Sequence, residues 1–458
     1  MNNINAIVLA AGAGTRMKSK TPKVMHKISG VPLVGHVVDL LEDIDVGKTS
    51  VVIGHGKELV EPYLTSRSVN IVYQEKRLGT GHAVMMAKET IEDNEDVLVL
   101  TGDTPLLRVE TIEYLLAHHR NGNYDGTVLT ASFEDPTGYG RIVRDDAHLI
   151  TGIVEHKDAS EIERSIKEIN SGIICIKGQL LKRFLEALKN DNVQGEYYLT
   201  DVIGLLSDNG YRVSGYVVED TTEIMGINNR VQLAEADVIH QERLRKMHME
   251  NGVTFLSGVS SYVEKYVIIG ADTTIEPGCV LRGTTAIGEE CLIGPNSDIV
   301  NTEVRSFVEV KQSTLLDSLV EEHTKVGPYA YLRPNCRIGQ HVKVGDFVEV
   351  KNASIGNGSK VSHLSYIGDG EIGENVNIGC GVVFVNYDGK NKHKTTVKDG
   401  AFVGCNVNLV APVTVEEGAY VAAGSTITKD VPEMSLGVAR AKQSNIEKWV
   451  ERKAHLKK

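Results

Sequence analysis

Aromatic side chains are scarce. They make up 5% of the 458 residues, with one Trp, so no large aromatic core is expected. Cysteine is limited to six residues, Cys175, Cys279, Cys291, Cys336, Cys380 and Cys405, and no two stand at C-x-x-C spacing. That spacing excludes a zinc knuckle and a redox dithiol motif, and thiols so dispersed fit a reducing cytosol. Positive charge is in deficit, with a formal net charge of −12, which argues against nucleic acid as a partner. Long hydrophobic runs are missing as well. The apolar start, Ala6 to Ala11, is too short for a signal core or a membrane span. The expectation is a soluble, cytoplasmic protein of two or three domains. Glycine, by contrast, is abundant at 45 residues, which suits a chain with many tight turns.

The first half alternates strand-like runs (Ile4–Ala10, Ser50–Gly54, Ile71–Gln74, Val97–Leu100) with helix-like segments such as Leu33–Leu41 and Gly81–Ile91. This order predicts an α/β domain with a mostly parallel sheet, whose ligands sit beyond the strand carboxyl ends. The stretch Leu9–Lys23, LAAGAGTRMKSKTPK, leaves the first strand through two glycines and carries Arg16 and Lys23. A glycine-bearing turn of this kind exposes backbone N–H groups to phosphate, and Arg16 and Lys23 add a donor fork and a point charge. The dinucleotide fingerprint is excluded because Met17 stands where its third glycine belongs. The Walker pattern is excluded because neither Gly12 nor Gly14 begins one. Composition alone leaves an ordinary β-to-α turn with a solvated basic patch equally open.

Asp103 closes the apolar run VLVLTGDTP. It is placed either to hold a divalent metal or to cap the next helix. Six further segments read singly as polar loops: Gln74–Ala83, Pro136–Arg141, Gly152–Ala159, Glu168–Ile173, Gln194–Asp201 and Gly226–Arg230. The G-x-G-T-R-M…P-K stretch resembles the signature of nucleotidyltransferases that activate sugar phosphates. With the six segments in order, the first half resembles bacterial N-acetylglucosamine-1-phosphate uridylyltransferases. The resemblance implies a Rossmann-like fold in which Leu9, Ala10, Ala11 and Gly12 line the uridine nucleotide and Arg16 and Lys23 face the triphosphate. It implies that Gln74, Gly79 and Thr80 read uracil and ribose, and that Gly140, Glu155 and Asn170 hold N-acetylglucosamine. Asp103 and Asn228 are implied as Mg²⁺ ligands. In-line attack of the sugar phosphate on UTP needs positioning and charge neutralisation rather than a side-chain nucleophile, and no nucleophile is evident.

Asn229 to Glu250 lacks Pro and Gly and reads as one helix, with Val231, Ala234 and Val238 on a shared face. It is expected to link the halves, with a packed core helix as the alternative. From Val253 an aliphatic residue recurs every six positions: Ile269, Ile275, Leu281, Ile287, Ile293, Ile299, and again from Val326 to Val350 and from Val397 to Ile427. Neither an amphipathic helix nor an alternating strand has this period. A parallel β-helix does, with three short strands per coil; roughly nine coils at ~4.8 Å predict a prism about 45 Å long. Residues 300–325 keep the rhythm poorly and are expected to bulge, and residues 385–396 interrupt it as an exposed loop.

The segment VSHLSYIGD offers His363 as a general base, a role that typically gives roughly 10²–10⁴-fold. Read alone, His363 is better explained as a surface histidine hydrogen-bonded to a neighbouring coil. With YLRPNC, NVNIG and FVNYDG, however, the second half resembles hexapeptide-repeat acyltransferases, and specifically the glucosamine-1-phosphate N-acetyltransferase half of bifunctional uridylyltransferases. The resemblance implies a left-handed β-helix, which period alone does not give. It places Arg333, Lys351, Tyr366 and Asn377 on the sugar phosphate, and Asn386, Tyr387, Ala423 and Arg440 on acetyl-CoA. Cys380 and Cys405 fall near the thioester, where small residues also occur in the family; direct transfer is favoured over an acetyl-cysteine. The family's trimers, with active sites between subunits, imply a homotrimer here.

The resulting expectation is a uridylyltransferase domain over residues 1–228, a linking helix over 229–251, a β-helix over 252–437 and a basic tail over 438–458. Together they would make UDP-N-acetylglucosamine from glucosamine-1-phosphate, acetyl-CoA and UTP with Mg²⁺, through N-acetylglucosamine-1-phosphate. A narrower reading keeps only the first half as an enzyme and makes the β-helix an assembly or regulatory scaffold. The tail from Ala441 carries five Lys and one Arg against two Glu, and is either solvated or in contact with the phosphates of CoA.

Overall fold

The computed structural model describes residues 3–453. The chain divides into two compact units, Met1–His240 and Gln241–Lys458. The first is built on a mixed sheet ordered Val213–Val217, Gly126–Ser132, Glu168–Lys177, Asp96–Thr101, Ile4–Ala10, Lys48–Ile53, Asn70–Tyr73. Ile4–Ala10 is parallel to both neighbours, and Asn70–Tyr73 continues the parallel run. Glu168–Lys177 runs antiparallel between Asp96–Thr101 and Gly126–Ser132, and it carries the hairpin Arg141–Arg144/Ile150–Val154. Val, Ile and Leu in the central strands are buried on both faces, as expected where helices cover the sheet on each side.

Three parallel strands therefore end at one edge, delivering Ala11, Gln74 and the Gly102–Asp103 turn to the same place. Gly54 allows this convergence, since an added Cβ there would lie 2.9 Å from the Gln74 carbonyl and 3.0 Å from Ala11 Cβ. The segment Glu168–Ile173, expected as a loop, is instead strand, and Gly152–Val154 also belongs to one. The polar residues of the first sit at a register break between Asn170 and Ile174. There the Asn170 side chain accepts from Gly172 N–H at 2.9 Å.

The expected helix runs Arg230–Glu250, and the division between the compact units falls within it. The face expected to be apolar is solvent-facing: Val231 and Val238 are 67% and 66% exposed. Buried positions are Ala236, Gln241, Leu244 and His248. Ala236 packs with Ile28, Leu33, Leu106 and Ile227 of the first unit. Gln241 exchanges hydrogen bonds with the Val263 backbone at 2.6 and 3.0 Å in the second.

The second unit is a left-handed parallel β-helix of hexapeptide repeats. Among the described residues its three faces are parallel sheets of eleven, ten and nine strands, slightly longer than the period predicts. The inward residues, mostly six apart, are buried and form one continuous column of Ile, Val and Leu with Phe384. Residues 300–325 do not bulge. Val304, Val310, Leu315 and Val320 stay in the core, and the rhythm is kept by five-residue steps, as from Val310 to Leu315 and from Leu315 to Val320. The shortened corners use Gln312 and Asp317 in the left-handed region, each at φ 42°. No helix among the described residues is long and apolar enough to cross a membrane.

Candidate functional site

At the convergent edge of the first unit lies a cleft of about 560 Å³ lined by Leu9, Ala10, Ala11, Gly12, Lys23, Gln74, Gly79, Thr80 and Asp103, all expected from sequence. Ala13, Arg77, Thr101 and Glu196 also line it and had no signal beyond proximity to those motifs. The turn works because Gly14 adopts φ 58°, and an added Cβ there would lie 2.4 Å from Lys23 Cβ. Glycine thus lets Lys23 fold back across the loop. Gln74 is buried, donating to the Gly79 carbonyl at 3.1 Å and meeting His82 Nδ1 at 3.0 Å, which fixes its amide against the cleft. Burial holds the His82 imidazole below its ordinary value.

Lys23 forms an ion pair with Asp103 Oδ2 and donates to Asn228 Oδ1 at 3.3 Å. Arg16, outside the cleft lining, donates to the same Asn228 oxygen at 2.8 Å. Asn228 is itself fixed by its N–H on Gln232 at 2.8 Å. One ammonium bonded to both oxygens shows that Asp103 and Asn228 aim at a common point and favour a cation there. Two hard oxygens open to further ligands suit Mg²⁺.

Gly140, Glu155 and Asn170 are gathered nearby: Asn170 N–H donates to the Gly140 carbonyl at 2.9 Å, and an added Cβ on Gly140 would stand 3.5 Å from Glu155 Oε1. Burial pushes the Glu155 carboxyl up, partly offset by the Thr200 hydroxyl at 3.3 Å. Tyr139, next to Gly140, is pushed up by burial and by the Asp103 carboxylate, so the Gly140–Glu155–Asn170 group and Asp103 share one electrostatic environment.

In the second unit, in-register pairing stacks chemically active residues at one corner of the prism. Asp346 pairs directly with His363. Two residues beyond the paired strands, the same registers set Cys380 above His363, Cys405 above Cys380 and Ala423 above Cys405. Main-chain hydrogen bonds tie the column, from Asn406 N–H to Cys380 O at 2.7 Å and from Gly424 N–H to Cys405 O at 2.8 Å. Arg440 closes it with a 2.8 Å bond to Ala423 O. The other four cysteines are buried, whereas Cys380 is half-buried and Cys405 exposed. Asp346, absent from the sequence reading, holds His363 Nδ1 at 2.6 Å.

The face beside that corner carries Tyr366, stacked in register on Glu349 and Tyr331. At its far edge Arg333 is paired with Glu349 at 2.9 Å. Lys351 lies along the same edge, its ammonium pushed down chiefly by Lys392, a second residue missed in the sequence. Asn386 follows, buried and donating to Asp369, with Tyr387 exposed in the loop. Asn377 is not brought to this face: it sits on the ladder of Lys360 and Phe402, around the His363 corner. The expected loop is structured, with Tyr387 bridged to Lys392 and Asp388 accepting from Lys390 N–H, Asn391 N–H and His393 Nε2 at 2.8, 2.6 and 2.7 Å. Of the basic tail, residues 454–458 lie outside the described residues.

Residues 6–169 match the MobA-like NTP transferase domain family, and residues 317–352 match the bacterial transferase hexapeptide family (six repeats). Along its whole length the chain is similar to curated relatives, each called bifunctional protein GlmU. That of Alkaliphilus metalliredigens is 53% identical over 455 residues, covering 99% of this chain and 100% of the relative. That of Alkaliphilus oremlandii is 55% identical over 455 residues, with the same coverage. That of Brevibacillus brevis is 54% identical over 446 residues, covering 97% and 96%.

Proposed function

The chain belongs to the family of the bifunctional protein GlmU, and from that premise we propose the following division of labour on its residues. The β-helix acetylates glucosamine-1-phosphate from acetyl-CoA; the α/β unit then joins N-acetylglucosamine-1-phosphate to UTP, releasing pyrophosphate and UDP-N-acetylglucosamine. The observation that carries the first-unit reading is the convergence of Arg16, Lys23, Asp103 and Asn228 on one point beside a cleft.

In the first unit, Leu9 to Gly12 and Gln74, Gly79 and Thr80 receive the nucleoside, and Arg16 and Lys23 take the triphosphate. Gly140, Glu155 and Asn170 orient the sugar so that its phosphate faces the α-phosphorus. Asp103 and Asn228 would hold Mg²⁺, which would supply charge neutralisation for the polyphosphate. Lys23, which lines the cleft beside Asp103, is placed to pair with phosphate oxygens.

In the second unit, Arg333 and Lys351, joined by Lys392, hold the sugar phosphate. Two ammonium groups crowding each other in the free protein favour an arriving dianion. His363 takes a proton from the 2-amino group as it attacks the thioester carbonyl, and CoA leaves as the thiol. Cys380, Cys405, Ala423, Asn386, Tyr387 and Arg440 line the acetyl-CoA side. Asn377 and Tyr366 stand on different faces of one prism. The hexapeptide-repeat β-helix fits a homotrimer in which neighbouring chains complete the site. A cytoplasmic location agrees with these substrates.

Two assays on the full chain test the division. Release of free thiol from acetyl-CoA with glucosamine-1-phosphate should vanish in H363A and persist in K23A. Release of pyrophosphate should show the reverse. No thiol release by the unmodified chain would leave the β-helix as a scaffold.

A further inference from the structure

The base proposed for acetyl transfer is not a free-standing histidine. His363 and Asp346 occupy facing positions on adjacent coils, and their side chains meet at 2.6 Å between Nδ1 and Oδ1. Both are substantially solvent-facing, with side chains 53% and 39% exposed. A surface pair of this kind contributes little to stability, so the contact is better understood by what it does to the imidazole. An ionised carboxylate only accepts. Nδ1 must therefore carry the hydrogen, and in the neutral ring Nε2 is left with its lone pair. Among the described residues Nε2 has no hydrogen-bond partner.

From this geometry we propose that Asp346 is a positioning residue for acetyl transfer. It selects the tautomer of His363 with Nε2 as the basic atom, fixes the ring plane, and stabilises the imidazolium formed when the substrate amine gives up its proton. The inference rests on the reading of His363 as the base and adds the group that prepares it. The same logic governs carboxylate–histidine pairs in hydrolases, where the acid orients and stabilises without itself taking the proton.

The surroundings permit this role. On the strands that carry the pair, Lys343 and Lys360 are the charged neighbours, each three residues before its partner. The Asp346 carboxyl is held below its ordinary range chiefly by His363, with Lys343 contributing. Below Asp346 the column continues with Pro328, which carries no charge, and above His363 the next titratable group is Cys380. Asp346 is thus the one carboxylate stacked directly on His363 in that column. The next carboxylates on either side of His363 along the chain have other partners, Glu349 in Arg333 and Asp369 in Asn352 and Asn386.

The test is the pH profile of acetyl transfer in D346N and D346A, assayed in the full-length protein with pyrophosphate release as an internal measure of folding. An Asn amide presents either its oxygen or its NH₂ to Nδ1, so the tautomer is no longer enforced and the imidazolium loses its counter-charge. Both variants should lose about tenfold or more in kcat, part of what a positioned base supplies. The KM for glucosamine-1-phosphate should stay within twofold, on the order of a small binding change. The acid limb of kcat/KM should move to lower pH, because the cationic form is less stabilised. A D346N enzyme with unaltered kcat and an unaltered acid limb overturns the assignment while leaving His363 in place. If H363A retains acetyl transfer, the base itself is misassigned and the role of Asp346 falls with it.

Discussion

Lys23 is ion-paired with Asp103 at the cleft of the first unit, with both side chains mostly buried at 16% and 15% exposure. The free protein thus satisfies the Asp103 carboxylate with its own ammonium, and binding of substrate has to exchange that partner. D103N keeps the shape and removes the charge. Pyrophosphate release should fall by at least about 100-fold, as expected when a preorganised electrostatic group is removed. Thiol release by the same preparation should be unchanged. Chelation of divalent cations should reproduce the split, silencing the first reaction alone, and equal loss of both reactions would refute it.

Gly14 tests the turn that brings Lys23 there. Its φ of 58° lies in the left-handed region, and an added Cβ would overlap Lys23 Cβ at 2.4 Å. G14A therefore carries a conformational cost of about 1–2 kcal/mol and displaces the lysine. A raised KM for UTP is the expected result, with acetyl transfer untouched. An unaltered KM would mean that Lys23 does not depend on the turn.

Much of this was legible beforehand. A β-helix writes its core into local repetition, so the inward set from Ile269 to Ile427 could be read without knowing any long-range contact. The phosphate turn was legible because glycines and cations crowd a short stretch. What escaped depends on partners set far apart in the chain. Asp346 meets His363 only because one turn of the β-helix brings residues 17 apart in sequence into register, and Lys392 reaches Lys351 by way of a loop. Leu315 and Val320 looked out of rhythm because a template of six does not register a corner trimmed to five. Glu168–Lys177 concealed a strand because its first half is polar and its register breaks at Asn170.

Glu155 gives a pH prediction for the first unit. Burial raises its carboxyl above the ordinary range, and Asp201 in the same cavity is raised by burial and by Asp158. A carboxyl whose folded value lies above its unfolded one holds its proton more tightly in the native state. Its stabilising contribution is therefore complete below the unfolded value and is lost as pH rises through the folded one. Thermal unfolding of the first unit should shift to lower temperature as pH rises from the ordinary glutamate range toward neutrality. In E155Q that dependence should flatten, the neutral-pH melting temperature should rise, and the KM for N-acetylglucosamine-1-phosphate should increase about tenfold, the scale of one hydrogen bond to a charged group. A melting profile identical to the unmodified protein would show that the buried carboxylate imposes no cost.

Asp388 organises the loop that interrupts the β-helix. Two backbone N–H groups, of Asn391 and Lys390, and the His393 ring hold its carboxyl at about 2. The sign here is opposite to that of Glu155: a depressed acid stabilises the loop above the ordinary aspartate range and stops doing so as pH falls through about 2. The turn is therefore fully formed near neutrality, and substitution is a better probe of it than titration. In D388A the N–H groups of Lys390 and Asn391 lose their acceptor, and the bridge between Tyr387 and Lys392 loses its support. Amide exchange over residues 390–393 should accelerate, and the KM values for acetyl-CoA and glucosamine-1-phosphate should rise together, because Tyr387 and Lys392 share one loop. D388N keeps an oxygen acceptor without the charge and should fall between D388A and the unmodified protein. Faster exchange with both KM values unchanged would detach the loop from substrate binding and leave Arg333 and Lys351 to hold the sugar phosphate alone.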